Sequence, residues 1–411
     1  MISHESENMN PSELIHPDSF AYGGRAAGSL SSGKRCFIRG GVPGDTLKIR
    51  LLKEKKNYAE GSIESVETPS PRRIRPACPY AARCPGCSYL QTDYDHELEW
   101  KQKQFIWFMK HTGCVPEEVI QPPIGAENRM GWRNKIRLTA QRSGDHIAIG
   151  YLAEDNVSVI DIRNCMLARP EISEYMKKQL SDPEFRSHIP EGVSHLTFRF
   201  TRKDGVRIAG SDEDIMLTDS IPGFGEFKVP QDSFFQINTG MTAYLCRTAA
   251  RIIDSLKPER FIELYCGCGL FSAVAAQCGV RKVYGVELDR KNIEAARKNL
   301  EARGLPHAKF LAGDSARMLD QLPLSAGKGT LLLTDPPRTG LDRKVIAAFG
   351  KSSAENLIYV SCGPDTLARD LVLFAGDGWK IAETGLIDMF PSTAHFETLT
   401  FLTRSGGSGH S

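Results

Sequence analysis

From about residue 236 the chain alternates strand-like and helical segments, and this alternation restricts its fold more than any other feature. "RFIELYCGCGLFSAVAAQCG" reads as strand, glycine turn and helix, "KVYGVELD" as a second strand, and "KNIEAARKNLEARG" as a helix closed by Gly304. Further strands are predicted in "AKFLAGD", "GTLLLTDPP" and "LIYVSC". Short apolar strands alternating with helices imply a mostly parallel sheet covered on both faces. Residues 236–411 are therefore expected to form an α/β, doubly wound, Rossmann-like domain, with ligands at the carboxyl ends of its strands.

The preceding residues have other rhythms. Residues 19–68 are short alternating stretches, such as "RCFIRG" and "DTLKIRLL", broken by Gly-Gly, Pro-Gly and Lys-Asn turns. They predict a small all-β, OB-like barrel within residues 1–70. "TPSPRRIRP" is an extended basic linker, because each proline biases its predecessor away from the helical region. Residues 71–235 mix types and are expected to form an α+β central domain. There "DHELEWKQKQFIWFMKH" spaces Leu98, Phe105, Ile106 and Met109 along one helical face, and Trp107 and Phe108 are expected to pack rather than stack on bases. "RNKIRLTAQRSGDHIAIGYL" suggests two strands joined by a Ser-Gly-Asp turn.

With 41% hydrophobic and 25% charged residues over 411 positions, the chain reads as a globular protein of two or three domains. "MISHESENMN" has no apolar leader, no apolar run reaches membrane-spanning length, and "SGGSGHS" is a Gly/Ser tail. A cytoplasmic protein, monomeric and without a membrane partner, is expected. Net charge is only +2, yet Lys34, Arg35, Arg39, Lys48, Arg50, Lys53, Lys55, Lys56, Arg72, Arg73 and Arg75 crowd into the first 75 residues. Such a run is a solvated face unless a nucleic-acid reaction lies downstream, in which case it is a polyanion-binding module.

In "YCGCGLFS", Gly267 and Gly269 stand where a backbone approaches a ligand closely, and Glu287 ends the next strand, where a carboxylate can accept ribose hydroxyl protons. Ser272 occupies the place of the third glycine of a dinucleotide fingerprint. That disfavours a pyrophosphate and favours a cofactor with a ribose and no phosphates, such as S-adenosylmethionine. Asp314 in "LAGDS" is placed to reach the adenine amino group or, equally, to cap a helix. Asp335 in "TDPPRTG" would face the reacting end. Methylases of exocyclic amines commonly follow Asp-Pro-Pro with a stacking aromatic; Arg338 takes that place here.

"YVSCGPD" ends an apolar strand on a thiol, Cys362. A lone cysteine is usually a small core hydrophobe. Carbon-5 of a pyrimidine, however, is a poor nucleophile until something adds to carbon-6, so a methylase acting there needs a thiolate. An ordinary thiol is only a few per cent ionised at neutral pH, a handicap of roughly 2 kcal/mol. A carboxylate must afterwards remove the carbon-5 proton, and "DMFPSTAHFETLTFL" supplies Glu397, with Asp388 and His395 nearby.

Over nearly its whole length the chain resembles the RNA uracil-5-methyltransferase family, through "DSFFQINTGM", "ELYCGCG", "GVELD", "DPPRTGLD", "YVSCGPDTLARD" and "DMFPSTAHFE", in the family's order. The resemblance implies S-adenosylmethionine as cofactor, bound by Gln236, Tyr265, Glu287 and Asp335, with Asp314 a further contact. It implies Cys362 as nucleophile, Glu397 as base, and an N-terminal barrel like the family's RNA-binding TRAM domain. Gly363 stands where the family usually has Asn, which should unsettle the loop. Leu270 replaces a common polar residue and with it a cofactor contact, and Ser392 a frequent His.

Eleven cysteines without a secretory signal favour metal or catalytic use over disulfides. Cys78, Cys84 and Cys87 are closely spaced, and Cys165 follows at a distance. Spacing alone suits zinc and iron-sulfur equally; the resemblance implies a 4Fe-4S cluster. Cys36, Cys114, Cys246, Cys266, Cys268 and Cys278 read as core or loop thiols.

These readings converge on methylation of carbon-5 of a uridine in structured RNA. Members with the four cysteines most often resemble the 23S ribosomal RNA enzymes, and transfer RNA is the alternative. Cytosine methylation would need a carboxyl placed to protonate the ring, and none is distinct. A non-catalytic, cluster-bearing RNA-binding protein, with Leu270 and Gly363 as marks of decay, is the rival of another class.

Overall fold

The computed structural model describes residues 12–209, 215–327 and 329–404; the stretches "MISHESENMN" and "SGGSGHS" lie outside the described residues. The chain divides into two compact units, the first of residues 1–104, 151–160 and 392–394, the second of the remainder.

The first unit is built on one six-stranded sheet, Ser12–Ile15, Ser19–Phe20, Ala26–Ser29, Arg35–Ile38, Thr46–Glu54 and Tyr58–Thr68, in the order first, fifth, sixth, fourth, third, second. The pairing is antiparallel except between Arg35–Ile38 and Tyr58–Thr68. Ser12–Ile15 is too short to announce itself by alternation, and it precedes the segment that the turn residues delimit. Inward positions supply the core: Ile15, Leu30, Cys36, Ile38, Leu47, Ile49 and Ala59. The buried Asp45 accepts from the Arg73 guanidinium and from the Val42 and Ser70 backbone N–H groups, which ties the extended linker back to the sheet.

The helix Tyr94–His111 forms where expected, but its buried face differs. Glu97, Lys101, Phe105 and Met109, spaced by four, are all fully buried, whereas Leu98 is only half-buried. The charges at 97 and 101 disguise this face in the sequence, and in the fold they neutralise each other as an ion pair of 2.8 Å. Trp107, expected to pack, is 55% exposed and lies against the His111 ring at 3.9 Å.

In the second unit, Gly205–Ala209, Gly192–Thr201, Lys135–Ser143 and His146–Leu152 form an antiparallel sheet in that order. Met216–Ile221 and Gly225–Pro230 form a hairpin. The helix Thr239–Leu256, capped by the Asn238 side chain, leads into the principal sheet. That sheet has seven strands: β1 Arg260–Leu264, β2 Lys282–Glu287, β3 Lys309–Ala312, β4 Thr330–Thr334, β5 Asn356–Ser361, β6 Lys380–Ile387 and β7 Glu397–Thr403. Their order is β3-β2-β1-β4-β5-β7-β6, parallel except that β7 runs against both neighbours. Helices α1 Leu270–Gln277, α2 Arg290–Glu301, α3 Arg343–Lys351 and α4 Pro364–Gly376 connect the strands. The mostly parallel α/β sheet expected of this region is thus present. Its central strands are apolar because both faces are covered: every residue of β4 is buried, and α1 is buried from Leu270 through Ala276. Among the described residues no helix is long and apolar enough to cross a membrane.

Candidate active site at the carboxyl edge of the sheet

Register places the sequence-predicted residues of the second unit at one edge. Leu264 of β1 pairs with Val286 of β2 and Thr334 of β4; Thr334 pairs with Tyr359 of β5; Ser361 pairs with Thr398 of β7; and Glu397 pairs with Ile387 of β6. Tyr265, Glu287, Asp335, Cys362 and Glu397 therefore all leave or enter the sheet on the same side.

The β1–α1 turn is shaped for close approach. Tyr265 adopts φ +60° and Gly269 φ +78°, both in the left-handed region. A Cβ at Gly269 would stand 3.1 Å from the Cβ of Ala296 in α2, so this glycine lets helix and turn touch. Glu287 is held from two sides: Oε2 accepts the Gly267 N–H at 3.1 Å and Oε1 the Asp289 N–H at 2.9 Å. These bonds orient its carboxylate and leave lone pairs for a diol. Ser272 donates both its backbone N–H, at 2.8 Å, and its hydroxyl to one oxygen of Glu263, a fully enclosed carboxyl that burial pushes up to about 8. Sequence reading passed over Glu263, although an acid inside an apolar strand was the available signal.

Asp314 is exposed and caps the short helix Ser315–Met318, its Oδ1 accepting the Arg317 N–H at 3.2 Å. Of the two readings of this residue, the cap is the one present in the fold. Gln236 is buried, and its carbonyl accepts from the Asn134 side chain. Leu270 is buried at the first position of α1.

At the other half of the edge a thiol, two carboxyls and a guanidinium act on one another. Burial, then the carboxyls of Glu397 and Asp335, push the Cys362 thiol up to about 11, while Arg338 opposes them. Glu397, only 5% exposed, is held well above the carboxylate range by burial and by Asp335, again with Arg338 opposing. Burial pushes Asp335 up to about 7. Two carboxyls in one desolvated site cannot both ionise cheaply, so the pair retains a proton at neutral pH. Such a pocket suits a bound cation. Arg338 is the member that sequence reading had noted only for not being aromatic.

The Cys362 loop is well braced despite Gly363. Its N–H and carbonyl both bond the Ser361 hydroxyl at 3.2 Å, and the carbonyl also accepts from the Thr366 hydroxyl and the Leu367 N–H. A Cβ at 363 would come within 2.7 Å of the Thr366 oxygen, so here the Thr366 hydroxyl occupies space that a larger residue would need.

Residues 392–394, between Asp388 and Glu397, belong to the first unit. Ser392 is buried with φ +66°; its N–H donates to Glu97 Oε1 at 2.6 Å, and its carbonyl accepts from the Ser88 and Tyr89 N–H groups. The buried ion pair of the first helix thereby grips the segment that leads to Glu397.

Cys78, Cys84, Cys87 and Cys165 are all half-buried, unlike the core thiols Cys36, Cys246, Cys266 and Cys268. Among the described residues no group of three or more His, Cys, Asp or Glu side chains stands as a metal site.

Residues 224–405 match the model of the tRNA (uracil-5-)-methyltransferase family. An uncharacterized RNA methyltransferase of Gloeobacter violaceus is 28% identical, over 94% of this chain and 95% of its own length. One of Thermosynechococcus vestitus is also 28% identical, over 94% of this chain and 97% of its own. Among solved structures, the Pyrococcus abyssi tRNA (uracil-54, C5)-methyltransferase in complex with S-adenosyl-L-homocysteine superposes with a TM-score of 0.72 at 22% identity, covering 95% of this chain and 99% of that one. That likeness establishes a shared fold. The stretch that is similar to the tRNA (uracil-5-)-methyltransferase family holds the whole seven-stranded sheet and its carboxyl edge.

Proposed function

We propose that this enzyme methylates carbon-5 of a uridine in structured RNA through a covalent cysteine-uracil adduct, with S-adenosylmethionine as methyl donor. The observation that carries the reading is the strand register that brings Asp335, Cys362 and Glu397 to one edge of the sheet. In the reaction Cys362, as thiolate, adds to carbon-6 and carbon-5 becomes nucleophilic. Once the methyl is in place, Glu397 takes the carbon-5 proton, and the sulfur leaves carbon-6 with its electron pair. Gln236, Tyr265, Glu287 and Asp335 bind the cofactor, with Asp314 at its adenine end. A flipped base costs a few kcal/mol of unstacking, which contacts elsewhere on the RNA offset.

The division of labour is a TRAM-like barrel in residues 1–70 that holds RNA, a central domain of residues 71–235 and a catalytic domain of residues 236–411. Cys78, Cys84, Cys87 and Cys165 would be the ligands of a 4Fe-4S cluster; the close spacing of the first three and the chemistry of the four thiols support this, and no catalytic step runs through the cluster. Substituting any of the four by Ala should remove iron and acid-labile sulfide from anaerobically purified protein. The substrate we favour is 23S ribosomal RNA, with transfer RNA as alternative, for a cytoplasmic monomer.

The test separates two stages of one reaction. With radiolabelled cofactor and RNA, Glu397→Gln should trap a methylated protein-RNA adduct that survives a denaturing gel, because elimination lacks its base. Cys362→Ala should form none. Adduct formation by the Cys362 variant removes that residue from its role.

A further inference from the structure

Within the first unit, a cavity of about 630 Å³ opens between the six-stranded sheet and the loop of Cys78 and Cys87, and four arginines line it: Arg25, Arg39, Arg73 and Arg75. They are not equivalent. Arg73 is committed to the buried Asp45. Arg39 donates to the carbonyls of Ala81, Arg83 and Cys84, so its guanidinium is fixed in position over the cavity wall. Arg75 is exposed and makes no ion pair among the described residues. Arg25 bonds Glu60 through Nη1 at 3.2 Å and turns Nη2 inward.

One acid enters this space. Glu154, in the turn between the strands His146–Leu152 and Val159–Asp161, places Oε1 3.6 Å from Arg25 Nη2 and 3.6 Å from Arg39 Nη1. A single oxygen shared by two guanidiniums is how a phosphate oxygen would sit between them. Both contacts lie beyond hydrogen-bond length, and the Glu154 side chain remains 48% exposed, so it is loosely held and easily displaced.

We infer that the arginine-lined cavity is a phosphodiester-binding site for the RNA strand, and that Glu154 occupies the Arg25–Arg39 fork until a backbone phosphate displaces it. The inference rests on the RNA reading of the preceding section and deepens it. A built-in competitor lowers affinity for any stray polyanion and so favours RNA that also engages the catalytic edge. No bond is made or broken; one carboxylate is exchanged for one phosphate.

The experiment measures binding of a fluorescein-labelled twelve-nucleotide oligouridylate by the full chain across a range of KCl concentrations. Glu154→Gln should bind about three- to tenfold tighter, because two half-exposed ion pairs no longer have to be broken. Its slope of log affinity against log salt should steepen by up to about 0.7, because in the wild type salt also weakens the Glu154 ion pairs that the phosphate must displace, which offsets the counterion release of that contact. Adding Arg25→Gln to Glu154→Gln should abolish both gains. Glu67→Gln, which removes the same charge from the six-stranded sheet outside the cavity, is the control. An unchanged Glu154 variant, or an equal gain from Glu67→Gln, overturns the site. These outcomes are distinct from failure of the functional reading, which shows as absence of 5-methyluridine in RNA incubated with wild-type enzyme and cofactor.

Discussion

If Asp335 and Glu397 retain a proton in the ligand-free pocket, a cationic cofactor should expel it. With Asp335 pushed up to about 7, its carboxyl is half-protonated at pH 7, and burial and Asp335 hold Glu397 well above the usual carboxylate value. An opposite charge within about 4–6 Å lowers a carboxyl by roughly 1–3 pH units. The sulfonium of S-adenosylmethionine should therefore release about 0.4–0.5 proton from Asp335 at pH 7, and more if Glu397 also ionises. S-adenosylhomocysteine has the same adenosine and amino-acid parts and a neutral sulfur, so the difference between the two isolates the charge. Titration calorimetry in phosphate and in Tris, whose ionisation enthalpies differ, counts the protons. Affinity for the sulfonium should also rise by roughly five- to tenfold from pH 6 to pH 8, because the ligand-free site then no longer has a proton to lose. Asp335→Asn should flatten that dependence. Identical proton release for the two ligands, or a pH dependence that survives in Asp335→Asn, would refute the shared-proton pocket. Proton release beyond the roughly 0.4–0.5 due to Asp335 would mean that Glu397, the base of the proposed reaction, ionises when the methyl donor arrives.

Three further outcomes follow from single residues. Glu263 is raised from an ordinary value near 4.5 to about 8 in the fold, so the unfolded chain ionises first. Stability is full below about pH 4.5 and falls as pH rises towards 8, by on the order of 5 kcal/mol in all; in urea unfolding at pH 6 and pH 8.5, Glu263→Gln should lose that slope, and a variant that keeps it shows the acid is not the cause. Arg338→Gln should push the Cys362 thiol above its value of about 11 and slow iodoacetamide alkylation at pH 9, tenfold for each unit of rise, whereas an unchanged rate takes Arg338 out of the thiol's field. Gly269→Ala, which combines φ +78° with a 3.1 Å approach to Ala296, should cost about 1–3 kcal/mol in thermal unfolding and weaken cofactor binding, and wild-type behaviour in both would show the turn to be adaptable.

What could be read in advance depended on how locally each feature is determined. The strands β1, β4 and β5 were legible because a strand buried on both faces must be apolar throughout, and because Gly267, Pro336 and Gly363 mark where each one ends. Cys362 and Glu397 were legible one by one, as polar residues at strand ends. Their partnership with Arg338 was not, since it depends on β7 inserting between β5 and β6, an order that no local pattern encodes. The basic N-terminal run was visible as composition, but the fold spends much of it: Lys34, Arg35, Lys48, Arg72 and Arg73 each face an acid, while Arg50, Lys53, Lys55 and Lys56 lie exposed. Charge count therefore overstates what is available to RNA, and position decides it.

The least legible element is the buried pair Glu97–Lys101. In sequence it is an ordinary helical i, i+4 pair, worth a few tenths of a kcal/mol on a solvated face. In the fold both side chains are fully buried, and Glu97 also accepts the N–H of Ser392, a residue almost three hundred positions away with φ +66°. Burying two charges costs desolvation that their attraction only partly offsets, so the pair adds little stability over an apolar replacement. Here they fix a left-handed turn five residues before Glu397, in a segment where hydrophobic contacts alone would tolerate sliding. Stability and catalysis should therefore separate on substitution: Glu97→Gln, which keeps an acceptor for Ser392 but leaves Lys101 uncompensated, should lower the unfolding midpoint. If the turn survives, the variant should still form the covalent adduct; if Glu97 sets the position of Glu397, unresolved adduct should accumulate as predicted for Glu397→Gln. A destabilised variant that turns over at the wild-type rate would confine the pair to a structural role.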